Sequence, residues 1–475
     1  MKKVLVMLLM STLGLTQTMA DNNTMVKKFS NVAKAVVETR ASAFSGGAGT
    51  QEDPYLISTA EDLNQFSADV QNKNMYEGKY FKMTNDIDMS ATENFLPIGN
   101  NIESSDVKAF CGTFDGNNFT VTGIKCSYTG VNSIGVAMFG VTMNATIKNL
   151  RMNDCSFSAD ALVAPVVAVA MGTTVQNCHI GNNVVVDAYK MFNAGGVVCG
   201  AMGMPCTIED CSSAADVHAK SYTAGGILSA ISEQAGGTVV RRCVFYGKSE
   251  SFETVAGIVA LLEQPGVIED CANFGQIISG TGAAGIQYVY NSQAKDFVKV
   301  SNCYNAGLVQ GVDEDHQDAV SFGNIYHGGG EGSCTVTNCY YEDTMSGASS
   351  ITSTAMTAAE MKTTDFVEKL NYGRTEGPWC IIEGVADGFP VPFAGLIPTS
   401  SKDVEASAAA ISFNAGVATV AGVKAGDKFA VVDMAGRTVK MAVAQNNGNL
   451  TIDMTNLPAG DYAIGNGSIS KKIVK

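Results

Sequence analysis

Charge, histidine and proline are all scarce in this chain of 475 residues, and each shortage excludes something. Charged residues make up 16% and hydrophobic residues 46%, which excludes intrinsic disorder as a description of most of the chain. Positive charge is the scarcer sign: 31 Lys and Arg stand against 46 Asp and Glu, a net −15. That balance gives no surface for a phosphate backbone and excludes nucleic acid as a partner. The four histidines, His179, His218, His316 and His327, include no His-Glu-x-x-His pair, and neither a Gly-x-Ser-x-Gly elbow nor a phosphate loop occurs. These gaps remove the common zinc-peptidase, hydrolase-elbow and nucleotide readings. Glycine, at 50, and cysteine, at 13, are what the chain has instead.

The only long apolar run lies at the start. Lys2 and Lys3 precede VLVMLLM, and small residues at Thr18 and Ala20 flank Met19, the layout of a secretory signal peptide. Val4 to Ala20 is short for a membrane span of about twenty apolar residues. Residues 1–20 are therefore expected to be removed, 21–45 to be a linker, and the mature chain to be exported without a transmembrane segment. The first cysteine is Cys111, so an N-terminal lipid-modified cysteine is excluded.

Seven cysteines recur in one context: Asp154-Cys155, Asn177-Cys178, Asp210-Cys211, Arg242-Cys243, Asp270-Cys271, Asn302-Cys303 and Asn338-Cys339. Their intervals, 23, 33, 32, 28, 32 and 36 residues, fall in the range of solenoids and arrays. A second phrase alternates with them at Ala194-Gly195-Gly196-Val197, Ala224-Gly225-Gly226-Ile227, Ala256-Gly257-Ile258 and Ala284-Gly285-Ile286. Between these marks the apolar runs are short, glycine-bounded and β-branched, which predicts strands. About thirty residues with several short strands make one coil of a parallel β-helix. The cysteines are then an inward ladder. Ile208 and Cys211, three apart, cannot share a face of a straight strand, so the Asn or Asp before each cysteine is expected to bend the chain through the left-handed region. Parallel side-chain directions suit a disulfide poorly, so buried thiols are expected. Cys199, Cys206 and Cys211, or Cys334 and Cys339, have spacings that are weak zinc signals, and no metal site is assigned to them.

Ser58-Thr59-Ala60-Glu61 and Thr357-Ala358-Ala359-Glu360 open capping-box patterns before LNQFSADV and MKTTDFVEKL, predicting helix-containing caps that cover the open edges of the array. Gly49-Thr50, Asp53-Pro54-Tyr55-Leu56-Ile57, Asn85-Asp86-Ile87-Asp88-Met89, Pro97-Ile98-Gly99 and Gly112-Thr113-Phe114-Asp115-Gly116-Asn117 resemble bacterial surface proteins built of GLUG repeats on a right-handed parallel β-helix. The Ile-x-Asn-Cys and Ala-Gly-Gly-Ile phrases are similar to the repeat, and Leu370-Asn371, Trp379 and Gly388-Phe389-Pro390 resemble the segment that closes such arrays. Several repeats lack a clean Gly-Leu-Val-Gly. The resemblance covers residues 46–398 and implies a fold and an extracellular setting.

After Pro398 the chain reads as short alternating strands with turn residues, a small β-sandwich over 399–475. Val431 to Arg437 and Leu457 to Tyr462 resemble phrases of the C-terminal sorting domain of the type IX route of Bacteroidetes. That resemblance implies passage through outer-membrane secretion machinery and release or attachment at the surface.

Chemistry is harder to find. β-Helix lyases and glycosidases need carboxylates converging on a groove, and the candidates are Asp86, Asp88, Asp115 and the loop Asp313-Glu314-Asp315-His316-Gln317-Asp318. In that loop Asp313, Asp315 and Asp318 offer oxygen ligands for calcium, although the order of a known calcium loop is missing. A solvated acidic insertion is the plainer reading. Tyr288, Tyr290, Tyr304, Tyr326, Tyr340 and Tyr341 recur on later coils, and an exposed strip of them would bind glycan or a host or cell-surface protein. The sequence thus predicts a mainly β, non-enzymatic adhesion, binding or structural module, with a carbohydrate-active β-helix enzyme as the alternative.

Overall fold

The computed structural model describes the chain from Phe44 onward, apart from short stretches of which 102–106, 129–134, 290–297, 323–333 and 393–410 are the longest. The chain divides into two compact units, Met1–Pro398 and Thr399–Lys475.

The first unit is a parallel β-solenoid of about 7 turns. A representative coil runs through Thr174–Gln176, His179–Ile180, Val185–Ala188, Ala194–Gly195 and Val198–Ala201. Each strand pairs with its equivalents on the coils before and after, so the described strands stack into two sheets of ten and three sheets of seven. Ile147, Val175, Ile208, Val240, Ile268 and Val300 lie in one register column, and all are buried. Two residues on, the chain turns. Asn149, Asn177, Asp210, Arg242, Asp270, Asn302 and Asn338 all have φ between 51° and 57°, the left-handed bend that turns the next side chain inward as well. The polar member of each pair is thus a conformational requirement, which Arg242 meets without the short side chain that usually makes it cheap.

The residue after that bend is Leu150, then Cys178, Cys211, Cys243, Cys271, Cys303 and Cys339. From Cys178 to Cys339 these thiols stand on successive coils, and each of the six donates to a nearby backbone carbonyl, as Cys211 does to Glu209 O at 3.1 Å. Cys155 differs from the ladder expected of it. Ser156 pairs with Lys125 and Val185, which puts Cys155 in the column of Ile124 and Val184, one strand further around the coil. Asp154 mimics the bend, with φ 51°, and the aberrant first interval of 23 residues is the trace of that difference. All thirteen cysteines are free thiols.

The Ala-Gly phrases have a steric origin. A Cβ on Gly196 would lie 1.9 Å from Gly226 O, and one on Gly257 2.2 Å from Gly285 O; successive coils pass too closely there for any side chain.

The helix α1 (Ala60–Gln71) is capped by Thr59, whose hydroxyl accepts from Asp62 N at 3.2 Å while the Asp62 carboxylate accepts from Thr59 N. It lays Leu63, Phe66 and Val70 over the first coil, and Phe66 stacks on Phe81 with ring centroids 4.1 Å apart. At the other end, Ser346 O and Ser349 O accept from Val309 N and Ala319 N, closing the last strands. The second helical stretch splits into α2 (Ala358–Met361) and α3 (Thr364–Asn371), because Thr363 starts a new cap. It lies along a flank of the solenoid: Met361, Phe366, Leu370, Trp379 and Phe389 form one cluster with Val244, Ala272 and Tyr304.

The second unit has antiparallel sheets of three and four strands. Ile411, Val420, Phe429, Val431, Leu450, Ile452, Tyr462, Ile464 and Ile473, drawn from both sheets, share one core.

Candidate functional site

The tyrosines expected as an exposed strip are mostly used in packing. Thr120, Arg151, His179, Ser212, Val244, Ala272, Tyr304 and Tyr340 form one register column on the outside of the bend. Tyr304 therefore points outward, yet it is 0% exposed, because the α2–α3 segment lies over it; its hydroxyl donates to Pro390 O. Tyr340 is half-buried, with its ring edge-on to Phe366 at 5.1 Å. Tyr341 and Tyr288 are buried. Tyr290 and Tyr326 lie outside the described residues. The segment that covers this flank is held by Asp270, which accepts two hydrogen bonds from Arg374, at 2.7 and 2.8 Å, and one from Trp379 Nε1 at 3.0 Å.

The carboxylates do not converge. Asp86 accepts from Thr120 N at 2.7 Å. Asp88 accepts from Ser90 N at 2.9 Å, and that bond holds its carboxyl below the usual range. Asp115 accepts from Asn117 N and Asn149 Nδ2. Each braces a turn. In the acidic loop, Asp313 caps the short turn over Glu314–His316 and pairs with His316, while Asp318 is buried and accepts from Val320 N and Ser321 N, both at 2.8 Å. Burial pushes the Asp318 carboxyl up to about 6. Asp313 and Asp318 thus serve different environments. Among the described residues no three His, Cys, Asp or Glu side chains are grouped to hold a metal, and Cys199 donates instead to Asn193 O at 3.0 Å.

His179 occupies an arrangement that the sequence pattern does not disclose. Its Nδ1 meets Ser212 Oγ and its Nε2 meets Asn177 Oδ1, both at 2.8 Å. Ser212 is 0% exposed, and burial, aided by Arg151, lowers the imidazole pKa to about 3. A ring so shielded stays neutral and a poor base, and no substrate reaches the hydroxyl. The trio ties adjacent coils together. Only the coil register, which sets His179 beside Ser212, could have revealed it.

The outer face of the first sheet carries polar side chains that are half-buried, apart from the buried Glu209. Thr113, Thr146, Thr174 and Thr207 stand in one register column. Beside them runs Asp115, Lys148, Gln176, Glu209, Arg241 and Glu269. These side chains bond along the column: Lys148 to Asp115 at 3.5 Å, Gln176 to Glu209 at 2.9 Å, and Arg241 to Glu209 at 2.7 Å. The result is a comb of hydroxyls beside a column of mixed charge, interrupted by Gln176, repeating at the strand spacing of about 4.8 Å.

No known protein family matches the chain. A provisionally named Gly-rich membrane protein of Evansella cellulosilytica is 33% identical over 159 residues, 32% of this chain and 17% of that protein. Halomucin of Haloquadratum walsbyi is 30% identical over 172 residues, 35% of this chain and 2% of that protein. The chain spans less than a fifth of the length of either relative. Among solved structures, a provisionally named immunoglobulin A1 protease from Bacteroides ovatus matches 74% of this chain and 96% of its own, at 16% identity and TM-score 0.48. An IgA1 protease matches 61% of this chain and 21% of its own, at 14% identity and TM-score 0.41. The expectation of a non-enzymatic chain is corrected here, because both solved structures bear the name of a peptidase. The parallel β-solenoid fits a surface or secreted β-helix protein.

Proposed function

We propose that this chain is a secreted or cell-surface β-helix that binds an extended polar ligand, a glycan chain, along the outer face of its first sheet. One observation carries the reading: the threonine column and the column of mixed charge run side by side, in register, on a rigid backbone. A polymer whose hydroxyls recur along its length can repeat the same contacts on successive coils, and such a comb is already organised before binding. The tyrosine flank has no part in this reading, since the cap occupies it.

The C-terminal unit is, on this proposal, a sorting or attachment module for export across an outer membrane. Its separate core and the Val431–Arg437 and Leu457–Tyr462 phrases support that role. The acidic loop is a solvated insertion; calcium in the buffer tests whether Asp313 and Asp315 bind it.

The experiment passes plant, bacterial and mucin glycans over the immobilised full chain, with and without calcium, and records retention and new chain ends. Retention is expected, and Thr146→Lys with Thr174→Lys should reduce it at least tenfold while the circular dichroism stays unchanged. Retention that ignores both substitutions would refute the assignment of the face, and retention of protein partners alone would refute the glycan.

A further inference from the structure

A line of sulfur atoms runs up one corner of the solenoid, outside the cysteine ladder. Cys111 N donates to Met75 O at 2.8 Å, Met143 N to Phe110 O at 2.9 Å, and Asn144 N to Met171 O at 2.8 Å. These bonds place Met75, Cys111, Met143 and Met171 on four successive passes of the chain at the same corner, and Met143 and Met171 are register partners. The side chains of Met75, Met143 and Met171 are half-buried and pack against a cluster of Ala109, Cys111, Val141 and Val169 that is separate from the main core. At the first coils this line opens into a pocket of about 390 Å³, lined among others by Met75, Glu77, Tyr80, Cys111, Thr113 and Met143.

We infer that this pocket is a binding site for a soft monovalent cation, Cu(I) or Ag(I), held by the Cys111 thiolate and the thioethers of Met75 and Met143. Thiolate and thioether ligands select soft cations over hard ones. The pocket offers one thiol and two thioethers beside the neutral oxygens of Tyr80, Thr113 and Asn144 and a single carboxylate, Glu77, which is exposed; one carboxylate supplies too little negative charge to favour calcium or magnesium over a soft cation. Cys111 is also set apart from the ladder thiols: they are enclosed in the main core, whereas Cys111 lines a pocket open to solvent. Burial and the Glu77 charge push the Cys111 thiol up to about 11, so it stands protonated until a cation arrives. Binding exchanges the Sγ proton for the cation, so one proton leaves for each ion bound.

The test uses the full chain labelled with 13C at the methionine methyl groups and titrated with silver nitrate in chloride-free buffer. One equivalent of Ag(I) should shift the Met75 and Met143 methyl signals, assigned through Met75→Leu and Met143→Leu, and release about one proton. Cys111→Ser should weaken the affinity at least tenfold. The Met75→Leu, Met143→Leu double variant leaves the thiol in place, and should weaken it by a similar factor. Magnesium and calcium nitrate should shift neither signal. Unmoved Met75 and Met143 signals at one equivalent of Ag(I), or an affinity that survives both variants, would overturn the assignment.

Discussion

Arg374→Ala tests whether the flank segment is held by one buried carboxylate. Asp270 sits at the left-handed bend, is 4% exposed, and spends its two oxygens on Arg374 and Trp379. Removing one partner of a buried ion pair costs roughly 3–5 kcal/mol, since the other charge is left without compensation. The Arg374 side chain is 36% exposed, so water takes over part of its role, and Trp379 Nε1 stays bonded; about 2 kcal/mol is the reasoned figure. That corresponds to a roughly thirtyfold rise in the open population of the segment. Trp379 is the single tryptophan of the chain and is buried with Tyr304 at 5.4 Å between centroids, so its emission reports this flank without interference from the C-terminal unit. In a urea titration the tryptophan transition should move to lower denaturant by the equivalent of about 2 kcal/mol, ahead of the change in β-sheet circular dichroism. Asp270→Asn in the Arg374→Ala background should recover at least about 1 kcal/mol, because asparagine tolerates the bend and carries no charge to strand. Coincident transitions in Arg374→Ala, displaced by less than about 0.5 kcal/mol, would show that packing of Phe366, Leu370 and Phe389 alone holds the segment.

Two further outcomes follow from the coil geometry. Asn302→Val should destabilise the solenoid by about 1–2 kcal/mol, because a β-branched residue resists φ of 53°, whereas Asn302→Gly should cost less; equal losses in urea titrations would mean that the side-chain bond to Asn338 matters more than the bend. Asp318, whose carboxyl rises from an ordinary 3.8 to about 6 on burial, favours folding below the unfolded value and loses that contribution as pH climbs through the folded one. The chain should lose about 2 kcal/mol between pH 4 and pH 7 from this group, and Asp318→Asn should flatten that slope; an unchanged slope in urea titrations at the two pH values would place its cause elsewhere.

The coil was legible in the sequence because stacking in register imposes the same demand at the same place on every turn. Only residues that accept a left-handed bend precede the ladder cysteines, with Arg242 as the exception, and only glycine fits where Gly196 and Gly257 meet the next coil. Those constraints are local and leave a repeating mark. The identity of Cys155 was misread for the same reason, since Asp154 makes the same bend one strand later. The function of the tyrosines was not legible. Tyr304 occupies an outward position in its own coil, and nothing near it in the sequence tells that Phe366, Trp379 and Phe389 fold back over it from more than sixty residues away. Pairings between distant coils likewise decided that His179 is clasped by Ser212 and that Met75, Cys111 and Met143 meet at one corner. The sequence by itself determined the coil, its bends and its buried thiols, because these depend on backbone conformation and nearest neighbours. The tertiary structure alone decided which outward side chains see solvent, because that depends on what the rest of the chain lays across them.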